Sequence, residues 1–227
     1  AGEDEATSKL SREHAVSTSV KGLVVIAGGK YTTYRVMAKD AIDAAVQQME
    51  SMLDRRVPRC CTDEVPLLGA EGYEALWNQR HALAERQGVG VGRIEHLLNR
   101  YGSLAVEVFD LMVQRPELAE PLAGNDDYLR AEVVYGVTHE GARHLDDILA
   151  RRTRLSIETF SRGTESAVEA ASLMAGPLGW SAEQRDLEVA HYLKRVEAEL
   201  ESQTMVDDET ADAARMGASD VVPILQD

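Results

Sequence analysis

The stretch GLVVIAGGKYTTYRVMAKDA, residues 22–41, constrains the fold more than any other part of the chain. Leu23 to Ala27 are apolar residues bounded by glycines, too few for a stable helix and apolar on both faces. That pattern predicts a strand over about 22–27 in the interior of a layered α/β domain. Beyond it, Tyr34, Met37, Ala38, Ala41, Ile42, Ala45, Val46 and Met49 recur every three or four residues. Lys39, Asp40, Asp43 and Gln47 fall on the opposite face, so an amphipathic helix is predicted over about 32–50. GGKYTT is therefore a strand-to-helix turn. Upstream, Leu10, Arg12, His14 and Val16 alternate with Ser11, Glu13 and Ala15, which predicts a further strand over about 9–16.

The turn fits neither of two common phosphate loops. A Walker A loop ending in Gly29 and Lys30 needs glycine at 24 and Ser or Thr at 31, where the chain has Val24 and Tyr31. The dinucleotide fingerprint needs three spaced glycines, and only Gly28 and Gly29 are present. What remains is a pair of glycines that permit close backbone approach, N–H groups at a helix start, the hydroxyls of Thr32 and Thr33, and the charge of Lys30. This set suits a flat, partly anionic group, although Gly-Gly also serves simply to turn a chain.

Residues 51–69 carry two prolines and no sustained period, and read as a linker. Residues 70–205 read as a helical domain. Helices are predicted in EGYEALWNQRHALAERQG, VGRIEHLLNRYG and SLAVEVFDLMVQRP, the last with Ser103 as cap. DDYLRAEVVYGVTHEGARHLDDILARRT predicts one or two more, and SAEQRDLEVAHYLKRVEAELES starts with Ser181 and Gln184 in capping-box spacing. His139, Glu140, Arg143 and Asp146 at helical spacing, followed by Arg151, Arg152 and Arg154, read as a salt-bridged helix surface. Trp77 and Trp180 read as core or interface anchors. Residues 206–227 read as an acidic, solvated tail. The fold class is thus mainly α, preceded by a short strand-and-helix remnant of an α/β domain.

A net charge of -15 argues against a broad footprint for nucleic acid or anionic lipid, so an anionic ligand needs a local basic pocket. No apolar run approaches the roughly 20 residues of a membrane-spanning helix. The two cysteines, Cys60 and Cys61, are adjacent and read as reduced thiols of a cytosolic protein. No histidine pairs with a cysteine at metal-ligand spacing, so no metal site is expected. A strand so close to the first residue lacks partners within the chain, which suggests a piece of something larger.

GLVVIAGGKYTTYRVMAKDA, preceded by LSREHAV, resembles the C-terminal end of the FAD-binding region in flavin-dependent glycerol-3-phosphate dehydrogenases. DDYLRAEVVYGVTHEGARHLDDILARRTRL and AASLMAGPLGWSAEQRDLEV are similar to the helical C-terminal domain of those enzymes. The resemblance implies that residues 1–50 end an FAD-binding and substrate region whose N-terminal, glycine-rich part is missing from this sequence. It implies that Gly28, Gly29, Lys30, Thr32 and Thr33 face the flavin, and that Arg12 and Lys30 face the substrate. A guanidinium at Arg12 suits the phosphate of glycerol 3-phosphate.

The implied reaction is oxidation of glycerol 3-phosphate to dihydroxyacetone phosphate by hydride transfer to FAD, with electrons passed to a quinone. No general base is nominated. The chain by itself is expected to be inactive and to retain no FAD. The resemblance further implies a cytoplasmic protein, peripheral on the inner face of the cell membrane, with a homo-oligomer left open. The alternative is a stand-alone helical interaction or regulatory domain derived from such an enzyme.

Overall fold

The computed structural model describes residues 14–49, 56–219 and 222, and the chain divides into two compact units between Leu67 and Leu68. In the first unit, β1 (His14–Ser17) pairs antiparallel with β2 (Val25–Gly28), with His14 opposite Gly28 and Ser17 opposite Val25. Residues 9–13 of the expected first strand lie outside the described residues, and the second strand begins at Val25 because Lys21 and Gly22 turn the chain. A single 3-10 turn, Tyr31–Thr33, leads into α1 (Tyr34–Met49). His14 Nε2 meets Asp40 Oδ2 at 2.8 Å, and Gln48 Oε1 accepts the Gly22 N–H at 2.7 Å. These two bonds fasten the middle and the C-terminal end of α1 to the ribbon and its turn. Among the described residues, two strands and one helix do not enclose a core: Val25 and Ile26 stay 47% and 37% exposed, against the doubly buried strand their composition predicts.

The second unit is almost wholly helical: α2 (Tyr73–Asn78), α3 (Arg80–Gln87), α4 (Val91–Tyr101), α5 (Ala105–Gln114), α6 (Arg130–Thr138), α7 (Leu155–Glu158), α8 (Ala167–Leu178), α9 (Ala182–Ser202) and α10 (Asp208–Arg215). A π-helical turn, Asp147–Arg152, precedes α7. The mainly α fold class read from the sequence is borne out. Helix α6 is buried on nearly every side, from Ala131 to Gly136, so it divides the interior into two cores. Ile94, Leu97, Leu98, Val108, Phe109 and Met112 build the first, which Trp77 covers. Leu145, Ile148, Leu149, Leu155, Ala170 and Met174 build the second, which Trp180 covers.

Some local expectations hold in the structure and others change. Ser181 caps α9 by accepting the Gln184 N–H at 3.1 Å, as its spacing predicts. Ser103 caps nothing with its side chain, because it lies inside a 3-10 turn, Gly102–Leu104, that precedes α5. The long helix expected to end at Gly88 breaks at Gln79, whose backbone leaves the helical region between α2 and α3. His139 and Arg143 share no helix face, since the chain leaves the helix after Thr138 and turns at Gly141 with φ +70°. Part of the expected acidic tail is ordered instead: α10 packs along α9, with Asp207 capping it through the Thr210 N–H at 2.8 Å.

Candidate functional site

The Gly28–Thr33 turn is the site the sequence singles out. Gly28 and Gly29 both take positive φ, +79° and +94°, a region that costs a side-chain-bearing residue strain. A β-carbon on Gly29 would also lie 2.5 Å from the sulfur of Met37 on α1. Lys30 is extended, and its N–H donates to Thr33 Oγ1 at 3.4 Å while the Thr33 hydroxyl donates back to the Lys30 carbonyl at 3.0 Å. Thr33 thus holds the turn closed. Lys30 and Thr32 are exposed, and neither side chain has a hydrogen-bond or ion-pair partner among the described residues. The N–H groups of Tyr31 and Thr32 open the helical stretch, where no preceding turn offers them a carbonyl. Gly28, Lys30, Thr32 and Thr33 are exposed and Gly29 is half-buried, while Arg12 lies outside the described residues.

The second unit holds a polar cleft of about 810 Å³ that sequence reasoning missed. Two of its lining residues, Tyr101 and His96, are held by the buried Glu132, 1% exposed, whose Oε2 is 3.0 Å from the Tyr101 hydroxyl and 3.1 Å from His96 Nε2. The other oxygen, Oε1, accepts the Leu129 N–H at 2.9 Å and so caps α6. Burial and the nearby Glu132 charge push the Tyr101 phenol well above its ordinary pKa, keeping it a donor. Arg100, Asp127, Tyr128, Glu140, Arg152, Arg154 and Glu158 also line the cleft. Asn125 Oδ1 accepts the N–H groups of Asp127 and Tyr128, at 2.8 and 3.1 Å, which shapes the loop that carries them to the cleft. The expected salt-bridged surface survives in part, since Arg151 pairs with Asp146 and Asp147. Arg152 instead forks onto the Glu140 carbonyl through Nε and Nη2, at 3.0 and 2.8 Å. No sequence period links α4, the loop before α6 and the segment before α7, so the cleft left no local signal.

Residues 60–185 match the C-terminal domain of alpha-glycerophosphate oxidase. The chain belongs to that family. It is 52% identical over 218 residues to glycerol-3-phosphate dehydrogenase 2 of Mycobacterium tuberculosis and 53% identical to glycerol-3-phosphate dehydrogenase of Mycobacterium leprae. Both matches cover 96% of this chain and 37% of the relative, a span too long to omit the Gly28–Thr33 turn. A probable mitochondrial glycerol-3-phosphate dehydrogenase of Dictyostelium discoideum is 35% identical over 84% of the chain. The resemblance drawn from the motifs is thereby borne out. The chain spans little more than a third of its mycobacterial relatives.

Proposed function

We propose that this chain is the C-terminal part of a flavoenzyme that oxidises glycerol 3-phosphate to dihydroxyacetone phosphate, and that the Gly28–Thr33 turn forms one wall of its cofactor site. The observation that carries the reading is the turn itself: two glycines at positive φ, an ammonium with no partner among the described residues and helix-opening N–H groups in one short turn, within a chain whose relatives are named glycerol-3-phosphate dehydrogenases. The exposed Val25 and Ile26 suit a strand that further chain covers.

The donor set fits a flavin edge. Bound flavin would supply the hydride acceptor, and its reduction places negative charge at the pyrimidine end of the ring. The Lys30 ammonium and the N–H groups of Tyr31 and Thr32 stabilise negative charge held beside them, and the glycines let backbone approach without a β-carbon between. Thr32 offers a hydroxyl to the same group. Arg12, with Lys30, holds the substrate's phosphate by a charge-assisted fork. Electrons then leave to a quinone, and the protein works at the inner face of the cell membrane as a peripheral protein. Among the described residues no helix is long and apolar enough to cross a membrane.

Anaerobic rapid mixing of the full-length flavoprotein with glycerol 3-phosphate tests this. Lys30→Ala should slow flavin reduction by about 10- to 100-fold, on the scale of one lost electrostatic donor. Its circular dichroism should not change. Arg12→Ala should chiefly raise the apparent KM. Wild-type reduction kinetics in both variants would remove the site assignment. A stand-alone interaction domain would make the opposite prediction, with neither substrate nor flavin altering any property of the protein.

A further inference from the structure

Among the described residues, two buried side-chain atoms have no hydrogen-bond partner in the protein, and both belong to the cleft of the second unit. They are Arg100 Nε and Glu140 Oε2. Buried donors and acceptors are paired in the great majority of cases, and an orphaned one costs roughly 1–3 kcal/mol. Here a donor and an acceptor are orphaned in one concavity.

The reason for each is visible. Arg100 lies with its guanidinium carbon 5.7 and 5.5 Å from the ring centres of Tyr101 and Tyr128, which fixes its plane. The nearest carboxylate oxygen, Glu132 Oε2, already takes Tyr101 and His96, and stays 3.8 Å from Arg100 Nε. Arg100 is thus charged, oriented and left with donors to spare. Glu140 has its backbone carbonyl taken by Arg152, but its carboxylate receives no N–H. Burial raises its pKa, and the charges of Arg152 and Arg100 only partly offset that. Arg154, where α7 begins, has no side-chain partner among the described residues, and its N–H donates to the Tyr128 hydroxyl at 3.2 Å. The Tyr128 hydroxyl in turn donates to Glu158 Oε2 at 2.9 Å, so one tyrosine ties the arginine-bearing segment to its acidic neighbour.

We propose that this cleft is a binding site for a small hydroxylated phosphate ester, with Arg100 and Arg154 holding the phosphate and Glu140 accepting a ligand hydroxyl. Two guanidinium groups carried by different elements grip different oxygens of a tetrahedral dianion, whereas a flat carboxylate is satisfied by a single fork. Arg152 adds positive charge that is spent on a carbonyl and not on a carboxylate. The acidic residues Glu140, Glu158 and Asp127 disfavour a bare anion and favour one bearing hydroxyls, which they can accept. About 810 Å³ leaves room for an ester of polyol or sugar phosphate size. Both clamping arginines belong to the helical unit, so the proposal does not rest on the reading of the Gly-Gly-Lys turn.

Titration of the 15N-labelled chain with glycerol 2-phosphate, followed at the arginine Nε–Hε resonances, tests the proposal without flavin or turnover. The Arg100 and Arg154 signals should shift and saturate, while sodium chloride at equal ionic strength leaves them in place. Arg154→Gln, at an exposed side chain, should weaken glycerol 2-phosphate at least about tenfold with the amide map unchanged. Glu140→Gln should weaken the ester several-fold and leave inorganic phosphate as it was. Unmoved arginine signals, a chloride response equal to that of the ester, or wild-type affinity in Arg154→Gln would overturn it.

Discussion

The two units keep their chemistry in opposite ways. In the first, the reactive-looking groups are neighbours in the chain and lie on an exposed turn held by one threonine and two glycines. In the second, residues from α4, the loop before α6 and the segment around the π-helical turn meet over a buried carboxylate. A site of the first kind survives the loss of most packing around it. One of the second kind exists only while the whole helical body is folded, because its geometry is the packing.

The largest expected effect breaks the second unit at its base. Glu132→Ala leaves His96 and Tyr101 without an acceptor and uncaps α6, and should cost about 3 kcal/mol, on the scale of removing one partner from a buried polar pair. Urea unfolding followed by tryptophan fluorescence isolates the effect, because Trp77 and Trp180 are the chain's two tryptophans and both pack on helical cores.

Gly102→Ala comes next. Its φ is +60°, and a β-carbon there would collide with the Gly69 carbonyl, a backbone atom unable to swing aside. Roughly 2 kcal/mol of lost stability is expected, visible by the same fluorescence. By contrast Lys30→Ala should leave that transition within about 0.5 kcal/mol, since an exposed, unpaired side chain contributes little to folding. A large shift from Lys30→Ala would erase the distinction between the two kinds of site.

The smallest expected effect concerns acid. Burial alone would raise the Asp147 pKa, but the N–H groups of Arg143 and His144 and the Arg151 charge more than offset it, leaving the carboxyl below its ordinary range. A depressed folded-state pKa means stability that is fully present above the unfolded value, near pH 4, and lost as pH falls through the lowered one. Asp147→Asn should therefore lower the thermal midpoint at pH 7 and flatten its fall below about pH 4. Equal acid sensitivity in both proteins would show that other carboxylates govern that limb.

What the sequence determined about this protein is local. The amphipathic period of residues 34–49, the glycine pair that turns the chain before it, the Ser181 cap and the predominance of helix all follow from residues that touch because they are near in the chain. Rotamer crowding, positive φ and capping act over one turn, so they are legible in a string of letters. The break at Gln79, the open face of Val25 and Ile26, the seating of α10 on α9 and the arginine cleft are not. Those were decided by tertiary structure. Arg100 and Arg154 acquire their relation only because α6, buried from Ala131 to Gly136, sets the spacing of the elements on its two sides. The orphaned Arg100 donor and Glu140 acceptor depend on which other groups Glu132 and Arg152 have already taken, and that competition can be settled only in three dimensions.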